Sequence, residues 1–210
     1  MKKTYQISVK LLSALHINGG TDINGNRITV KTDGNAYIPA SLIKGMVREN
    51  FTKLWKTAIP DAVKCKCECK TDVKQCGCMT CRMFGASGFC RSRIYFDHLE
   101  STQELHYGKR SNVSIDRHTR KAVDKALVFT EVVEPRVHNI INKATPCLFT
   151  GTITVFYPPE LSEKEKKQIE AVFVQSVGMI TNIGLGKSRG LGFVETTVDE
   201  PEGGWLCGRK

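Results

Sequence analysis

Apolar positions recur with helical spacing in two long stretches of the chain. Residues 39–56 begin at a proline, which suits the first turn of a helix, and their apolar residues share one face: Ile43, Met46, Val47 and Leu54. Residues 162–180 begin with a capping box of Ser162 and Glu165, and a single apolar stripe follows: Ile169, Val172, Phe173, Val177 and Ile180. Both stretches predict amphipathic helices that pack against a core.

Shorter stretches rich in β-branched and aromatic residues predict strands, at residues 4–17, 89–100, 126–135, 147–157 and 192–198. Between the first strand and the first helix, residues 18–35 are rich in glycine, asparagine and aspartate and predict a loop with room for a short hairpin. The order of elements predicts an α+β fold with a ferredoxin-like β-α-β-β-α-β core and long insertions. Many functions use this fold, so it does not identify one.

The length of the chain sets its organisation. With 210 residues, it can form one domain, residues 1–210, and is short for two. No stretch approaches the roughly 18 apolar residues of a membrane span. The basic, alternating N-terminus lacks the apolar block of a signal peptide. These features predict a cytoplasmic protein.

The charge balance points to an anionic partner. The formal net charge is +10 and the isoelectric point is about 9.2, so the surface attracts polyanions. Nucleic acid is the usual partner of such a surface. A basic protein whose charge only keeps it soluble has the same composition, so charge alone does not decide.

Cysteine is concentrated in one segment. Six of the nine cysteines fall between Cys65 and Cys81, and an odd total in a chain without a secretion signal argues for a metal site over disulfides. Cys78 and Cys81 form a CxxC knuckle suited to one half of a tetrahedral zinc site. An iron–sulfur cluster or reactive thiols are the alternatives. Enough cysteines are present to fill all four positions, which favours structural over catalytic zinc.

The preferred zinc ligands are Cys69, Cys76, Cys78 and Cys81. The fourth ligand stays open between Cys65, Cys67 and Cys69. The remaining cysteines are predicted to be thiols without a metal or a disulfide partner: Cys90, Cys147 and Cys207.

The sequence "TNIGLGKSRGLGFVE" surrounds Lys187, Ser188 and Arg189 with four glycines. Glycine allows close backbone approach, and amides between glycines can form a concave site for phosphate oxygens, to which the lysine and arginine add charge. The spacing does not match a Walker loop or a dinucleotide-binding fingerprint. A flexible turn is the alternative interpretation.

Two further segments are candidates for anion binding. In "YIPASLIKGMVR", Ser41 lies at a helix start with free backbone N–H groups, and Lys44 and Arg48 lie on one helix face. A solvated helix face is the alternative. The basic stretch "KRSNVSIDRHTRKAVDKAL" (109–127) predicts either a hairpin arm that inserts into nucleic acid or a disordered surface loop.

The order of these motifs resembles the repeat-associated (RAMP) superfamily. The segments that carry the resemblance are "HINGG", "YIPASLIKGMVR", "CGCMTCRMFG", "IDRHTRKA", "FTEVVEP" and "GLGKSRGLGFV". More narrowly, the chain resembles the backbone subunits of type III (III-D-like) or type III-derived CRISPR RNA-guided effector complexes. The helix start and the glycine loop are the most specific marks, and the resemblance covers nearly the whole chain.

The resemblance implies an RNA-recognition-motif-like core, a zinc-binding insertion at residues 61–86 and a β-hairpin thumb at about residues 108–130. Copies would stack along the guide RNA, and each thumb would wedge into the guide–target duplex. The implied partners are guide RNA, target RNA, further copies of the chain and other effector subunits, with no membrane. The RNA contacts carried over are His16, Ser41, Lys44, Arg48, Arg117, Lys187, Ser188 and Arg189.

One departure bears on activity. Active members of the family cut target RNA with an aspartate in the loop after the first strand, and the nearest positions here are Asn24, Gly25 and Asn26. The resemblance therefore favours a subunit that does not cut, with cleavage by a separate nuclease. A target-RNA endoribonuclease that uses Mg²⁺ and Asp22, or in its place Asp33, is the first alternative. A stand-alone guide-RNA-processing endonuclease that relies on histidine is the second.

Overall fold

The computed structural model of the protein describes residues 2–58, 78–86, 91–138 and 144–199. Its strands are β1 (Lys2–Leu11), β2 (Asn18–Thr21), β3 (Arg27–Thr29), β4 (Lys31–Thr32), β5 (Asn35–Ala36), β6 (Ile94–Phe96), β7 (Tyr107–Ile115), β8 (Ala122–Val133), β9 (Arg136–His138), β10 (Ala144–Pro146), β11 (Leu148–Phe156) and β12 (Val194–Asp199). Its helices are α1 (Ala40–Ala58), α2 (Met79–Phe84) and α3 (Glu163–Gly178).

Four strands form the main sheet in the order β12, β1, β11, β6, and each neighbouring pair is antiparallel. Consequently β1 and β6 run parallel to each other with β11 between them. Helix α1 connects β1 towards β6, and α3 connects β11 to β12. The predicted α+β class is confirmed, and the strand order is consistent with the predicted ferredoxin-like fold.

The core lies between the main sheet and the two long helices. Alternate residues of β1 are buried, which leaves the intervening ones on the opposite face of the sheet: Tyr5, Ile7, Val9 and Leu11 point inwards. Helix α1 buries Ile43, Val47, Phe51 and Trp55, and α3 buries the predicted Ile169, Val172, Phe173 and Val177. Each fully buried large side chain stabilises the fold by roughly 1.5–3 kcal/mol. The predicted helical stripes are therefore the core faces.

The predicted start of α3 is also confirmed. The Ser162 hydroxyl accepts a hydrogen bond from the Glu165 backbone N–H at 3.3 Å, and the Ser162 N–H donates to the Glu165 carboxylate at 2.9 Å. Two N–H groups that would lack partners at the helix end are thereby satisfied, which typically contributes about 1 kcal/mol.

The basic region after β6 forms a long hairpin. Strands β7 and β8 pair from Tyr107↔Val133 to Ile115↔Ala122, and β8 joins β3 and β2 in a second sheet. The strand predicted at 126–135 covers the last eight residues of β8, which begins at Ala122 and ends at Val133. Residues 107–125 lack apolar alternation because most of them are exposed, so no buried face imposes a pattern.

Two predicted strand boundaries are wrong. The first strand ends at Leu11 instead of residue 17, because residues 12–17 form hydrogen bonds with Phe193 and Val133 outside the register of the main sheet. Among the described residues of the strand predicted at 89–100, only Ile94–Phe96 form a strand, which pairs with β11; residues 89 and 90 lie outside the described part of the chain. Among the described residues, no helix combines the length and apolar character needed to cross a membrane.

Candidate nucleic-acid interface

The glycine loop, residues 184–192, is a fixed structure built around one 3₁₀ turn. The turn spans Lys187–Arg189, and both Gly186 and Gly190 flank it in the left-handed conformation, with φ of 84° and 83°. Side chains other than glycine rarely adopt such angles. The glycines therefore reverse the chain on either side of the turn and leave the side chains of Lys187, Ser188 and Arg189 exposed.

Main-chain contacts hold this loop against the segment that follows β1. The Leu185 N–H donates to the His16 carbonyl at 2.8 Å, and the Gly192 N–H donates to the Ala14 carbonyl at 2.8 Å. A Cβ atom on Gly184 would overlap the carbonyl oxygen of His16. The backbones approach closely enough to exclude a side chain, which explains the glycine at this position.

His16 supports the interface from within. Its side chain is fully buried, and Nδ1 donates to the Glu131 carbonyl at 2.7 Å with Thr29 Oγ1 at 3.2 Å. Burial lowers the pKa of His16, and the Arg27 guanidinium lowers it further, against the opposing effect of the Glu131 hydrogen bond. The ring is therefore neutral with its proton on Nδ1, and Nε2 has no hydrogen-bond partner in the part of the chain that the structure describes.

A cavity of about 450 Å³ lies between the glycine loop, the segment after β1 and the hairpin. Three arginines line it: Arg27, Arg110 and Arg189. Among the described residues that line it, the one carboxylate is Glu134, which lies 3.5 Å from Arg110 and is partly exposed, so that this pair is a weak interaction. The cavity therefore has a net positive lining.

Strand register explains why two of these arginines meet. Thr130 of β8 pairs with Arg27 of β3 on one side and with Arg110 of β7 on the other. Residues paired across strands point to the same face, so both guanidinium groups face the cavity. Local sequence patterns do not mark Arg27 or Arg110 as neighbours, since they are 83 positions apart and only the pairing of β8 with both strands brings them together.

Helix α1 contributes the second group of predicted contacts. Ser41 is exposed, while Lys44 and Arg48 are half-buried on one face. Burial lowers the pKa of Lys44, and the neighbouring Arg48 adds to this effect. The Ala40 N–H, one of the groups predicted to be free at the helix start, donates to His98 Nδ1 at 3.1 Å. The other end of this face approaches α2, where Arg48 Nη2 lies 3.9 Å from Cys81 Sγ.

The loop and α1 lie within electrostatic reach of each other. The pKa of Glu49 on α1 is lowered first by its hydrogen bond with Lys53 and, more weakly, by the charge of Lys187. The structure thus brings the glycine loop near the exposed side of α1. Arg117 lies elsewhere, in the turn of the hairpin, where Asp116 accepts hydrogen bonds from the His118 and Thr119 N–H groups.

Asp22 stabilises its own turn between β2 and β3. Its Oδ1 accepts hydrogen bonds from the Asn24 and Asn26 N–H groups at 2.8 Å each, and Oδ2 accepts from the Asn26 side chain at 3.0 Å. The hydrogen bond from the Asn26 side chain is the main cause of the lowered pKa of Asp22. Asp33 lies in the turn between β4 and β5, with φ of 50°.

The described part of the cysteine segment is its CxxC knuckle. Cys78 and Cys81 are buried, and the Cys81 N–H points to Cys78 Sγ at 3.4 Å. A backbone N–H aimed at sulfur suits a thiolate ligand, so this pair has the donor chemistry of half a zinc site. The remaining candidates lie outside the described residues: Cys65, Cys67, Cys69 and Cys76. Within the described ranges, no three potential ligands come close enough to share a metal ion.

Comparison with known proteins adds one finding. A family model described as the RAMP superfamily matches residues 8–195, a range that contains the end of β1, the hairpin, both long helices and the glycine loop. A search of curated proteins finds no match.

Proposed function

The chain belongs to the RAMP superfamily, and from that premise we propose that it is a guide-RNA-binding backbone subunit of a type III or type III-derived CRISPR effector complex. Members of the superfamily generally bind CRISPR RNA and work in multi-subunit complexes. In this function, copies of the chain polymerise along the guide RNA and hold the guide–target duplex.

The proposal rests on the arginine row, which consists of Arg27 and Arg110 on the two strands that flank β8. Arg27 and Arg110 face the cavity from one side, and Arg189 faces it from the glycine loop. A concave, positively charged site bordered by glycine amides suits the phosphates of a nucleic-acid backbone. Sequence specificity then comes from base pairing by the guide, as in other RNA-guided systems.

Helix α1 extends this phosphate-binding surface. Lys44 is partly buried and has a lowered pKa, so its charge lacks full solvation in the free protein. A phosphate beside it would supply the missing counter-charge. The charge of Lys187 reaches Glu49 of the same helix, and in this proposal Ser41 and Lys187 also lie along the path of the guide backbone.

The hairpin of β7 and β8 serves as the thumb. Its strands expose apolar side chains, among them Ile115 and Leu127 at 63% and 53% exposure. Val113 and Leu127 are paired directly across the strands three residues from the Arg110↔Thr130 pair, so they form an apolar surface on the face of the hairpin opposite Arg110. Exposed apolar groups of this kind can replace base stacking when a duplex is opened, while the cations of the hairpin, including Arg117, hold the backbone.

The subunit does not cut its target in this proposal. The hydrogen bonds of Asp22 hold its own turn together, and Asn24, Gly25 and Asn26 provide no carboxylate. Cleavage then belongs to a separate nuclease. His16 gives no support to a stand-alone processing enzyme, because its ring is buried, neutral and bonded to the Glu131 carbonyl.

A structural zinc completes the proposal. Cys78 and Cys81 would supply two thiolates, and Cys69 and Cys76 the other two, with Cys65 or Cys67 in place of Cys69 as the alternative. Zinc in such a site contributes folding energy to a segment with few apolar residues and performs no chemistry.

The test is a reconstitution with guide RNA and a matched, labelled target RNA in Mg²⁺. We expect tight binding without cuts, and an Arg27→Ala/Arg110→Ala double variant that binds guide RNA about tenfold to a hundredfold more weakly. Lys164→Ala, on the solvent side of α3, is the control and binds normally. Regularly spaced cuts that vanish in Asp22→Ala would establish the endoribonuclease alternative instead. Equal binding by the double variant and the control would contradict the proposed interface.

A further inference from the structure

A second surface with nucleic-acid chemistry lies on the outer face of the main sheet. This face is the one opposite the helices, and it carries mostly polar side chains such as Gln6, Ser8 and Thr152. At one end the pattern changes to aromatic and basic residues around a broad depression of about 700 Å³. This end of the sheet, lined by Lys2, Arg91, Arg93, Tyr95 and Phe156, is called the aromatic platform below.

Two aromatic rings on neighbouring strands form the floor of the platform. Tyr95 of β6 is 55% exposed and Phe156 of β11 is 40% exposed. Their ring centroids lie 5.6 Å apart with an interplanar angle of 86°, an edge-to-face contact. The edge of one ring supports the other, so that a flat ring face is held towards solvent at low conformational cost. Neither ring belongs to the buried core, so both remain available at the surface.

Cations surround these rings. Lys2 is the direct cross-strand partner of Phe156 in the register of β1 and β11. Arg93 is fixed by its main chain, because its carbonyl accepts a hydrogen bond from the Phe156 N–H at 2.8 Å and its N–H donates to the Met83 carbonyl at 2.8 Å. Together with Arg91 they place three basic residues around the depression, and none of the described residues that line it is acidic.

Flat aromatic faces bordered by cations are complementary to one class of ligand, single-stranded nucleic acid. Unpaired bases stack on such rings, and the phosphates between them pair with lysine and arginine. A duplex would not use the rings, because its bases are already stacked. An acidic protein segment could pair with the cations but would leave the rings without a planar partner.

The platform is separate from the glycine-loop cavity. It lies beside the first residue of β1, whereas the cavity lies beyond the last residue of the same ten-residue strand. At about 3.3 Å per residue, the two sites are about 30 Å apart. One bound nucleotide therefore cannot occupy both sites, and each can be disabled without the other.

We propose that the aromatic platform binds single-stranded RNA by stacking unpaired bases on Tyr95 and Phe156, with Lys2, Arg91 and Arg93 on the adjacent phosphates. In an RNA-guided complex, the strand available to it is RNA that lies outside the guide–target duplex. The platform extends the proposed function and does not depend on it.

The test measures binding of a fluorescent single-stranded oligouridylate, about 12 nucleotides long, to the full chain. All binding measurements use a protein that also carries Lys187→Ala and Arg189→Ala. These two substitutions weaken RNA binding at the glycine loop, so that a change in binding at the platform can be detected. We expect Phe156→Leu and Tyr95→Leu each to weaken binding about tenfold, and Tyr95→Phe, which keeps the ring, to bind normally. Leu148→Ala is the matched control: it lies on the same strand and face as Phe156, is 38% exposed, and sits at the opposite end of β11.

Two further measurements distinguish the aromatic platform from the other proposed RNA-binding surfaces: the affinity for double-stranded RNA, and the residues to which a bound RNA can be photo-crosslinked. None of the ring variants should change the affinity for duplex RNA, and an oligouridylate with 5-iodouridine should crosslink to Tyr95 or Phe156. Unchanged binding by both leucine variants, with unchanged thermal unfolding, would overturn the proposal. Crosslinks found only on the hairpin or the glycine loop would overturn it as well, even if those sites bind RNA as proposed above.

Discussion

Gly184 lies against the carbonyl group of His16 with no space for a side chain between them, and the Leu185 N–H that follows donates to the same carbonyl at 2.8 Å. This contact joins an exposed cationic turn to a fully buried residue. The turn is therefore held in place by the core, and its position does not depend on a ligand.

Replacing Gly184 should damage the fold more than replacing Gly190. Both glycines have φ near 82°, but a Cβ at Gly190 meets no atom within 4 Å. We expect Gly190→Ala to cost about 1 kcal/mol from backbone strain alone, and Gly184→Ala about 3 kcal/mol because the His16 contact must also open. Chemical denaturation of the two variants measures the difference. Equal losses would show that strain, and not the contact, requires glycine at position 184.

Removing Lys44 or Lys187 should weaken RNA binding and its dependence on salt. Each lysine is expected to neutralise one phosphate, so each alanine variant should lower the slope of log K against log salt by about 0.7 for a single strand. Lys53→Ala is the control, since Lys53 is exposed on α1 and already pairs with Glu49. Titrations at several salt concentrations give the slopes. A loss of affinity with an unchanged slope would indicate a contact other than phosphate.

His16 should make the protein less stable in acid. Its pKa in the folded state is below the ordinary 6.5, chiefly because of burial, so the unfolded chain binds a proton first as the pH falls. The stability from the neutral ring is complete above about pH 6.5 and is lost as the pH falls towards the folded-state pKa. His16→Gln keeps a donor for the Glu131 carbonyl but does not titrate. The gap in unfolding free energy between wild type and variant should therefore narrow from pH 7.5 to pH 5.

In urea titrations across that range, a gap that stays constant would mean that His16 is protonated equally in the folded and unfolded chains. A widening gap would mean that the folded-state pKa of His16 is raised, so that the folded protein favours the charged ring.

Cys78→Ser should release zinc and lower the melting temperature. Half of the proposed ligand set lies in the buried knuckle of Cys78 and Cys81, and structural zinc contributes folding energy. Elemental analysis should find one zinc per wild-type chain. Removal of the zinc with a chelator should lower the melting temperature of the wild-type protein. Cys147→Ser is the control, because Cys147 is buried next to β11 and should affect stability without affecting zinc content. A wild-type chain that contains no zinc, or is fully stable to chelators, would contradict the assignment.

The sequence predicts those parts of the fold that local patterns determine. Both long helices, the capping box at Ser162 and the buried stripe of α3 follow from spacing and are confirmed. The glycine loop was identified from composition, but its dependence on His16 was not, since that contact joins residues far apart in the chain. The contacts that local sequence patterns do not predict are mainly those that depend on which strands pair.

The arginine row and the aromatic platform illustrate this limit. Arg27 and Arg110 share a face only because Thr130 pairs with both, and Tyr95 and Phe156 meet only because β6 pairs with β11. Nothing in the local sequence of these residues marks them as neighbours. The hairpin lacked a periodic signal for a different reason: its strands are exposed on both faces for most of their length.

The anchoring of the glycine loop through backbone atoms alone has a consequence for how such a protein can evolve. Among the described residues, the side chains of Lys187, Ser188 and Arg189 make no hydrogen bond that holds the loop, because glycine conformations and main-chain hydrogen bonds do so. Substitutions at these three positions can therefore raise or lower the affinity for a polyanion in small steps, at little cost in folding free energy. Selection can adjust how tightly the chain holds its ligand, and how quickly it releases it, while the scaffold beneath stays constant.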